Sequence, residues 1–426
     1  MIRSILSARV VGLAALMFAG RAAAAQLPSA SAPALGLADN YTAVARGFNA
    51  VAWNPAMLGM PDNPKFSLGL LPLRGNAGLD PVTLGDLAEY DGQFIDDVVK
   101  QSWLQQITES GAQKGTAGGD ITYLAMSFGP TAFQLSTVSH LVAKLSPDAA
   151  ELILFGNAYR STGVDFDLGD SRVQAAVTTT AAVSTAQRLP LVPGHLSVGT
   201  TVKYIMGNAL IHGQNMGSTV TGTGEVNVAF PLIQSDTIGP RPNMNRGRGI
   251  GIDLGAAWRG GPLTIGLAMQ NVINTFAWDT AAFYYRAGRV QFDGTTREAS
   301  FDIEPYANAP AAVKDAINEL RYEPRLLIGA SWQANAKLTV NVDVRRYVGE
   351  GLEIGPESHA GVGAELRLFP FVPLRAGYAR IAGGHQFGGG AGVEIGPVRF
   401  SASYGQRTTD LGTDDMAAVG LTFGVR

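Results

Sequence analysis

Between Ile250 and Gln270 apolar and polar residues alternate without interruption, and that alternation restricts the chain more than any other feature. Ile250, Ile252, Leu254, Ala256 and Trp258 fall on one face of an extended strand; Gly251, Asp253, Gly255, Ala257 and Arg259 fall on the other. Gly260-Gly261 supplies a turn, after which Leu263, Ile265, Leu267 and Met269 continue the apolar face and Thr264, Gly266, Ala268 and Gln270 the small or polar one. A helix cannot use a period of two, so the segment predicts a β-hairpin.

The same rule recurs at Leu338, Val340, Val342 and Val344, whose opposite face carries Thr339, Asn341, Asp343 and Arg345. It recurs again at Val398, Phe400, Ala402 and Tyr404, opposed by Arg399, Ser401, Ser403 and Gly405. Ala417, Val419, Leu421, Phe423 and Val425 mark the last strand. Fifty-three glycines beside only 16% charged residues suit closely packed sheets with a partly apolar surface. Beyond the amino terminus no uncharged apolar run reaches the 18 or so residues of a membrane helix. A strand with one apolar and one polar face suits either a soluble sandwich or a membrane barrel.

Residues 1–25 decide between them. Arg3 and Arg9 precede an apolar stretch from Val10 to Gly20, and Ala23-Ala24-Ala25 forms a small-residue cleavage site before Gln26. This is the pattern of a secretory signal peptide, with the mature chain starting at Gln26. Export, strands near the 9 to 11 residues of a tilted membrane strand, and aromatics near strand ends (Trp258, Trp332, Tyr347, Tyr404) together predict an all-β transmembrane antiparallel barrel. Its polar faces make Asp253, Arg259, Asp343, Arg345 and Arg399 the candidate lumen-lining residues. The location is then the outer membrane of a Gram-negative envelope, in contact with outer-membrane lipids and lipopolysaccharide.

Three stretches carry a family resemblance. The run from Gly36 to Leu58, ending Trp53-Asn54-Pro55-Ala56-Met57-Leu58, resembles the amino-terminal segment of the FadL and PorV superfamily of outer-membrane barrels. The stretches from Gly266 to Val272 and from Pro373 to Tyr378 are similar to strand segments of that superfamily. The resemblance implies about 14 strands and a short helix, turn and first strand behind the leader. In FadL that segment is a hatch inside the barrel, so residues 26–64 are hatch-like, residues 65–426 are the barrel, and Asn54, Pro55 and Ala56 are the hatch turn. Pro55 alone explains a stop: it biases Asn54 toward extended geometry, so a helix over Leu37 to Arg46 cannot run into a strand beginning near Lys65. Gly420, Phe423 and Val425 fit the carboxy-terminal insertion signal read by the barrel-assembly machinery, although Arg426 stands where a terminal aromatic is usual.

Three excursions interrupt the strands. Residues 83–118 show helical spacing through Phe94, Ile95, Val98, Val99, Trp103, Leu104 and Ile107, with Gly111 as a stop. Residues 231–249 form a proline-bearing loop whose Arg241, Arg246 and Arg248 are either solvated or placed to meet lipopolysaccharide phosphates. Residues 275–322 are too long for a turn and contain a helix over 310–320 that opens on proline. Proline-bracketed connectors at 189–195 and 369–375 read as periplasmic turns.

Nothing in the pattern requests an enzyme or a cofactor. Cysteine is absent, and His140, His195, His212, His359 and His385 are scattered without metal spacing. Gly388-Gly389-Gly390 lies in a strand pattern and opens no phosphate-binding helix, while Asp96-Asp97 and Asp414-Asp415 read as solvated charge in a helix and a loop. A net charge of −3 excludes a nucleic-acid partner. Two functions follow from the resemblance: FadL-like passage of a small apolar ligand, or PorV-like docking of a secreted protein without small-molecule transport. A structural outer-membrane role is the third.

Overall fold

The computed structural model describes residues 30–155, 166–169, 171–220, 226–235, 246–292, 297–300, 302–348 and 356–425. The leader therefore lies outside the described residues. Fourteen long strands make the wall: β1 (Phe66–Asp80), β2 (Gln113–Phe128), β3 (Thr131–Leu145), β4 (Arg172–Leu189), β5 (His195–Gln214), β6 (Gly247–Gly260), β7 (Leu263–Asn274), β8 (Arg325–Gln333), β9 (Leu338–Tyr347), β10 (Ser358–Phe369), β11 (Val372–Ile381), β12 (Gly384–Ile395), β13 (Val398–Thr409) and β14 (Gly412–Val425). Each pairs antiparallel with the next in sequence. β14 returns to β1, with Phe66 opposite Val425 and Ala77 opposite Asp415, so the sheet closes and has no free edge.

Closure decides the orientation of the two faces. Ile250, Leu254, Ile265, Leu267, Val342, Val344, Phe400 and Leu421 are exposed on the outside, whereas Asp253, Gln270, Asp343 and Arg345 are buried within. An apolar exterior around a polar interior is the inverse of a soluble sandwich and is the transmembrane arrangement. The hairpin read from Ile250 to Gln270 is β6–β7, its turn one residue later than expected, at Gly261-Pro262 between the paired Gly260 and Leu263.

One rim carries only brief turns, including 129–130, 190–194, 261–262, 370–371 and 396–397, and is periplasmic by the usual asymmetry of such barrels. At the other rim sit the long connections. There, α4 (Asp97–Ser110) and α5 (Pro147–Phe155) pack around Val82, Trp103, Ile107 and Ala150, while the preceding short helix α3 (Leu84–Glu89) buries none of its side chains. Gly111, in left-handed geometry, ends α4 as the spacing predicts, but β2 already begins at Gln113, inside the expected insert. The 275–324 excursion folds over the outer mouth with α6 (Ala311–Glu319), burying Phe276, Trp278, Phe283, Tyr285, Val313, Ile317 and Tyr322.

Several expectations are corrected. Leu37 to Arg46 is not a helix: the helix is α1 (Ala32–Gly36), and Ala38 and Asp39 then take positive φ, which breaks the helix three residues after Leu35. Tyr347 is no interfacial girdle residue, because it is buried under the Arg325 guanidinium, 4.6 Å from its ring centroid. Asp414-Asp415 is in strand β14, and Asp414 is buried in an ion pair with Arg407 at 2.5 Å. Arg246 is buried, with its amide donating to the Gly207 carbonyl of β5, so its side chain is not on the surface that lipid phosphates reach; Arg248 is exposed and Arg241 lies outside the described residues.

Candidate functional site

The lumen is filled by the chain's own amino-terminal segment. From Ala30 to Met60 nearly every residue is buried, although this segment contributes no strand to the wall. After α1 come the left-handed turn at Ala38-Asp39, a 3-10 turn at Gly47–Asn49 leading into a short helix α2 (Ala50–Trp53), and a second 3-10 stretch from Pro55 to Gly59. Asn54 is extended, as its neighbouring proline requires; its Oδ1 accepts from the Ala56 amide at 3.1 Å and caps that turn. Its Nδ2 donates across to the Ala256 carbonyl at 3.2 Å.

Glycines in the wall make room for this plug. An added Cβ at Gly199 would lie 2.6 Å from the Ala56 amide nitrogen, at Gly266 3.0 Å from Asn54, at Gly329 2.8 Å from Thr42, and at Gly361 2.5 Å from Asn40. Gly255, Gly377 and Gly388 likewise have no space for a side chain, because Asn54, Leu37 and Leu35 occupy it. The plug thus runs around the inner wall: α1 meets β13 and β14, where Ser403 donates to the Ala32 carbonyl at 2.6 Å, and the segment then meets β12, β11, β10 and β8, and β7, β6 and β5 last. Part of the chain's high glycine content is explained here: these positions allow backbone to approach backbone. Gly388 of the triple-glycine run is one of them.

Polar side chains fasten the plug. Asp39 accepts from Arg74 Nη1 and Nη2 at 2.7 and 2.9 Å and from Gln386 Nε2 at 2.9 Å. Burial alone would raise the Asp39 carboxyl, but Arg74 holds it well below the usual carboxylate range. His359 Nδ1 lies 2.6 Å from Arg345, and a guanidinium can only donate, so Nδ1 accepts and Nε2–H donates to Asn40 Oδ1 at 3.0 Å. Arg345 also stands over the Trp53 ring at 5.2 Å. The Thr42 amide donates to both oxygens of Asp343 at 3.3 Å, and Gln270 donates to the Ala52 carbonyl at 2.8 Å. At the periplasmic rim Asp62 bridges Arg46 at 3.0 Å and Arg259 at 3.2 Å; burial raises its carboxyl, and the attraction of Arg46 outweighs that and lowers it.

The five lumen candidates do not form one cluster. Asp343 and Arg345 meet the plug, Arg259 meets the connector after it, and Arg399 lines the periplasmic rim near Gly424. Asp253 instead faces Lys203 at 2.5 Å and accepts from the Asn271 amide at 2.7 Å, on a bulge where Asn271 takes a φ of 53°. Phe423 of the carboxy-terminal pattern packs on Phe66 across the closing seam, with ring centroids 6.1 Å apart. Sequence reasoning missed Asp39, Asn40, Arg74, Lys203 and His359. The available signal was a lone charge on the polar face of a strand, as at Arg74 and Lys203.

The family model that matches covers residues 55–403 and is described as a family of unknown function, DUF5723. The chain belongs to that family. None of the curated proteins matches it. Among solved structures, a Pseudomonas aeruginosa FadL homologue matches over 95% of this chain and 100% of its own, at 13% identity and a TM-score of 0.50. The P. putida toluene transporter TodX matches over 89% and 94%, at 12% identity and 0.46, and the CymD monoaromatic hydrocarbon channel over 95% and 98%, at 11% and 0.46. This DUF5723 member has the FadL-type fold, a closed 14-stranded antiparallel barrel.

Proposed function

We propose that the protein passes small apolar solutes across the outer membrane and that residues 32–59 are its movable hatch. The observation that carries this reading is that the segment is buried against the inner wall yet shares no β-ladder with it. A handful of side-chain hydrogen bonds and a glycine-lined track hold it, and those can be broken without opening the barrel. Above it, the aromatic cluster of Phe276, Trp278, Phe283, Tyr285, Tyr306 and Tyr322 gives an apolar solute an environment that an ion enters only at a large desolvation cost. The FadL-type fold supports the same reading. Deleting residues 38–58 tests it: flux of a bulky solute rises while the barrel still assembles, and unchanged flux through an assembled deletion variant counts against a hatch.

A docking role has its own support. Phe94 in the loop before α4, Val98 on α4 and Ile153 on α5 are 82%, 77% and 70% exposed, apolar surface a secreted protein would cover. Native mass spectrometry of gently extracted protein separates the two, since transport predicts a retained apolar molecule and docking a retained subunit. Export by the leader and recognition of Gly420, Phe423 and Val425 by the assembly machinery complete the proposal.

A further inference from the structure

The plug and the wall are packed closely but paired incompletely. Thr42 Oγ1 on the plug and Ser197 Oγ on β5 are fully buried, closed off from solvent, and without a hydrogen-bond partner among the described residues. Ser197 stands against Gly59 at the end of the plug, where an added Cβ would strike its hydroxyl. Three wall side chains are only half paired. Gln270 donates from Nε2 to the Ala52 carbonyl, and its Oε1 has no donor; Arg345 donates from Nη2 to His359, and its Nε has no acceptor. Arg375, packed against Gly36, donates from Nε to Glu365, and its Nη1 has no acceptor. Each of the five residues is 8% exposed or less, and together they follow the plug from α1 to Gly59.

A polar group in such a place has lost its hydration and gained no bond in return. Once the plug leaves the wall the group can be hydrated, so the cost falls on the docked position alone. The bonds that are made act in the opposite direction: Asp39 with Arg74 and Gln386, Asn54 with Ala256, and Ser403 with the Ala32 carbonyl. The outer cover is held differently. Residues 275–324 are tied to β6 by a backbone ladder, Gly247 opposite Trp278 and Arg248 opposite Ala277, and so continue the sheet. The plug has no such ladder, and its seam carries both latches and unpaired groups.

We propose that the plug is docked metastably, and that the unpaired groups of its seam, Thr42 and Ser197 foremost, drive its release and set how often the hatch opens. The inference rests on the reading of residues 32–59 as a movable hatch and names what regulates it.

The test uses the full chain in detergent with Ala45→Cys as its single thiol, a buried plug position whose labelling by a soluble maleimide reports undocking. Thr42→Val keeps the Thr42 amide bond to Asp343 and removes only the hydroxyl; Ser197→Ala does the same on the wall. Each is expected to slow labelling about fivefold or more, the lower end for relief of an unsatisfied buried group. The two sites lie on separate elements and share no partner, so the double variant slows it roughly 25-fold. Ser403→Ala is the matched control: it removes a hydroxyl whose bond to the plug is made, and it is expected to accelerate labelling. Mobility of the unboiled protein on a gel verifies that every variant is folded. Labelling unchanged or faster in Thr42→Val and Ser197→Ala, or a Ser403→Ala effect of the same sign as theirs, overturns the proposal and leaves the hatch standing. No labelling of the folded barrel in any background, Ser403→Ala included, overturns the proposal and the hatch together.

Discussion

Asp39→Asn probes the hatch without touching the wall. Residue 39 has a φ of 63°, which asparagine tolerates nearly as well as aspartate, so the backbone turn survives. The variant loses the charge that faces Arg74, while the guanidinium stays where it is. Removing one partner of a fully buried ion pair costs about 3–5 kcal/mol. Here the side chains are 10% and 16% exposed, so about 2–3 kcal/mol is the appropriate range. That energy falls on the docked plug and leaves the strand ladders intact. At 1.4 kcal/mol per factor of ten, the undocked population rises roughly 30- to 150-fold. Because the chain has no cysteine, Ala45→Cys places a single thiol at a fully buried plug position. Its labelling by a membrane-impermeant maleimide follows the open population when closing outruns labelling. Labelling should accelerate by that factor in the Asp39→Asn background, with gel mobility of the folded barrel unchanged. Equal labelling rates in the two backgrounds would refute the view that this pair latches the plug.

Further outcomes are expected elsewhere. The Asp39 carboxyl is depressed, so its contribution is complete above the ordinary carboxylate value near 4 and is lost only as pH falls below that value toward its own; labelling of the Ala45→Cys protein should be the same at pH 7.5 and 5. Gly377→Ala inserts a methyl group where the Leu37 backbone lies and should weaken plug docking by about 1–3 kcal/mol, again seen as faster labelling. Lys203→Met strands the buried Asp253 carboxylate and should lower the temperature at which the barrel unfolds, by an amount matching about 3–5 kcal/mol. Trp103→Ala empties the centre of the outer helical cap and should expose residues 83–112 to protease while the wall remains folded, at a local cost of about 3–5 kcal/mol.

The wall was legible because a barrel strand writes its two environments into alternate residues, and Ile250 to Gln270 shows them without a break. Length was less legible: β5 runs from His195 to Gln214, well past the membrane, because an extension supported by neighbouring strands needs no lipid-facing alternation. Residues 37–46 illustrate the opposite difficulty. Their composition favours a helix, but a segment packed against the wall on all sides follows the wall, and the left-handed pair at Ala38-Asp39 answers to Arg74 and Gln386, far away in sequence. The polar latch was hidden for the same reason. Asp343 and Arg345 were visible as charges on an inward face, but no local pattern says that Thr42, Asn40 and Trp53 stand opposite them. Glycine content was visible as an excess, and its cause appeared only when a plug was found on the other side of Gly266, Gly329 and Gly361.

The most direct test of the account is uptake of a labelled small aromatic hydrocarbon by Gram-negative cells with an intact lipopolysaccharide leaflet. Cells producing the protein, its Asp39→Asn variant, or neither are compared, and a charged solute of similar size serves as the control. The account predicts that the protein accelerates hydrocarbon uptake and excludes the charged solute, and that the variant admits both. Hydrocarbon uptake no faster than in cells without the protein, in the presence of a correctly inserted barrel, would contradict it.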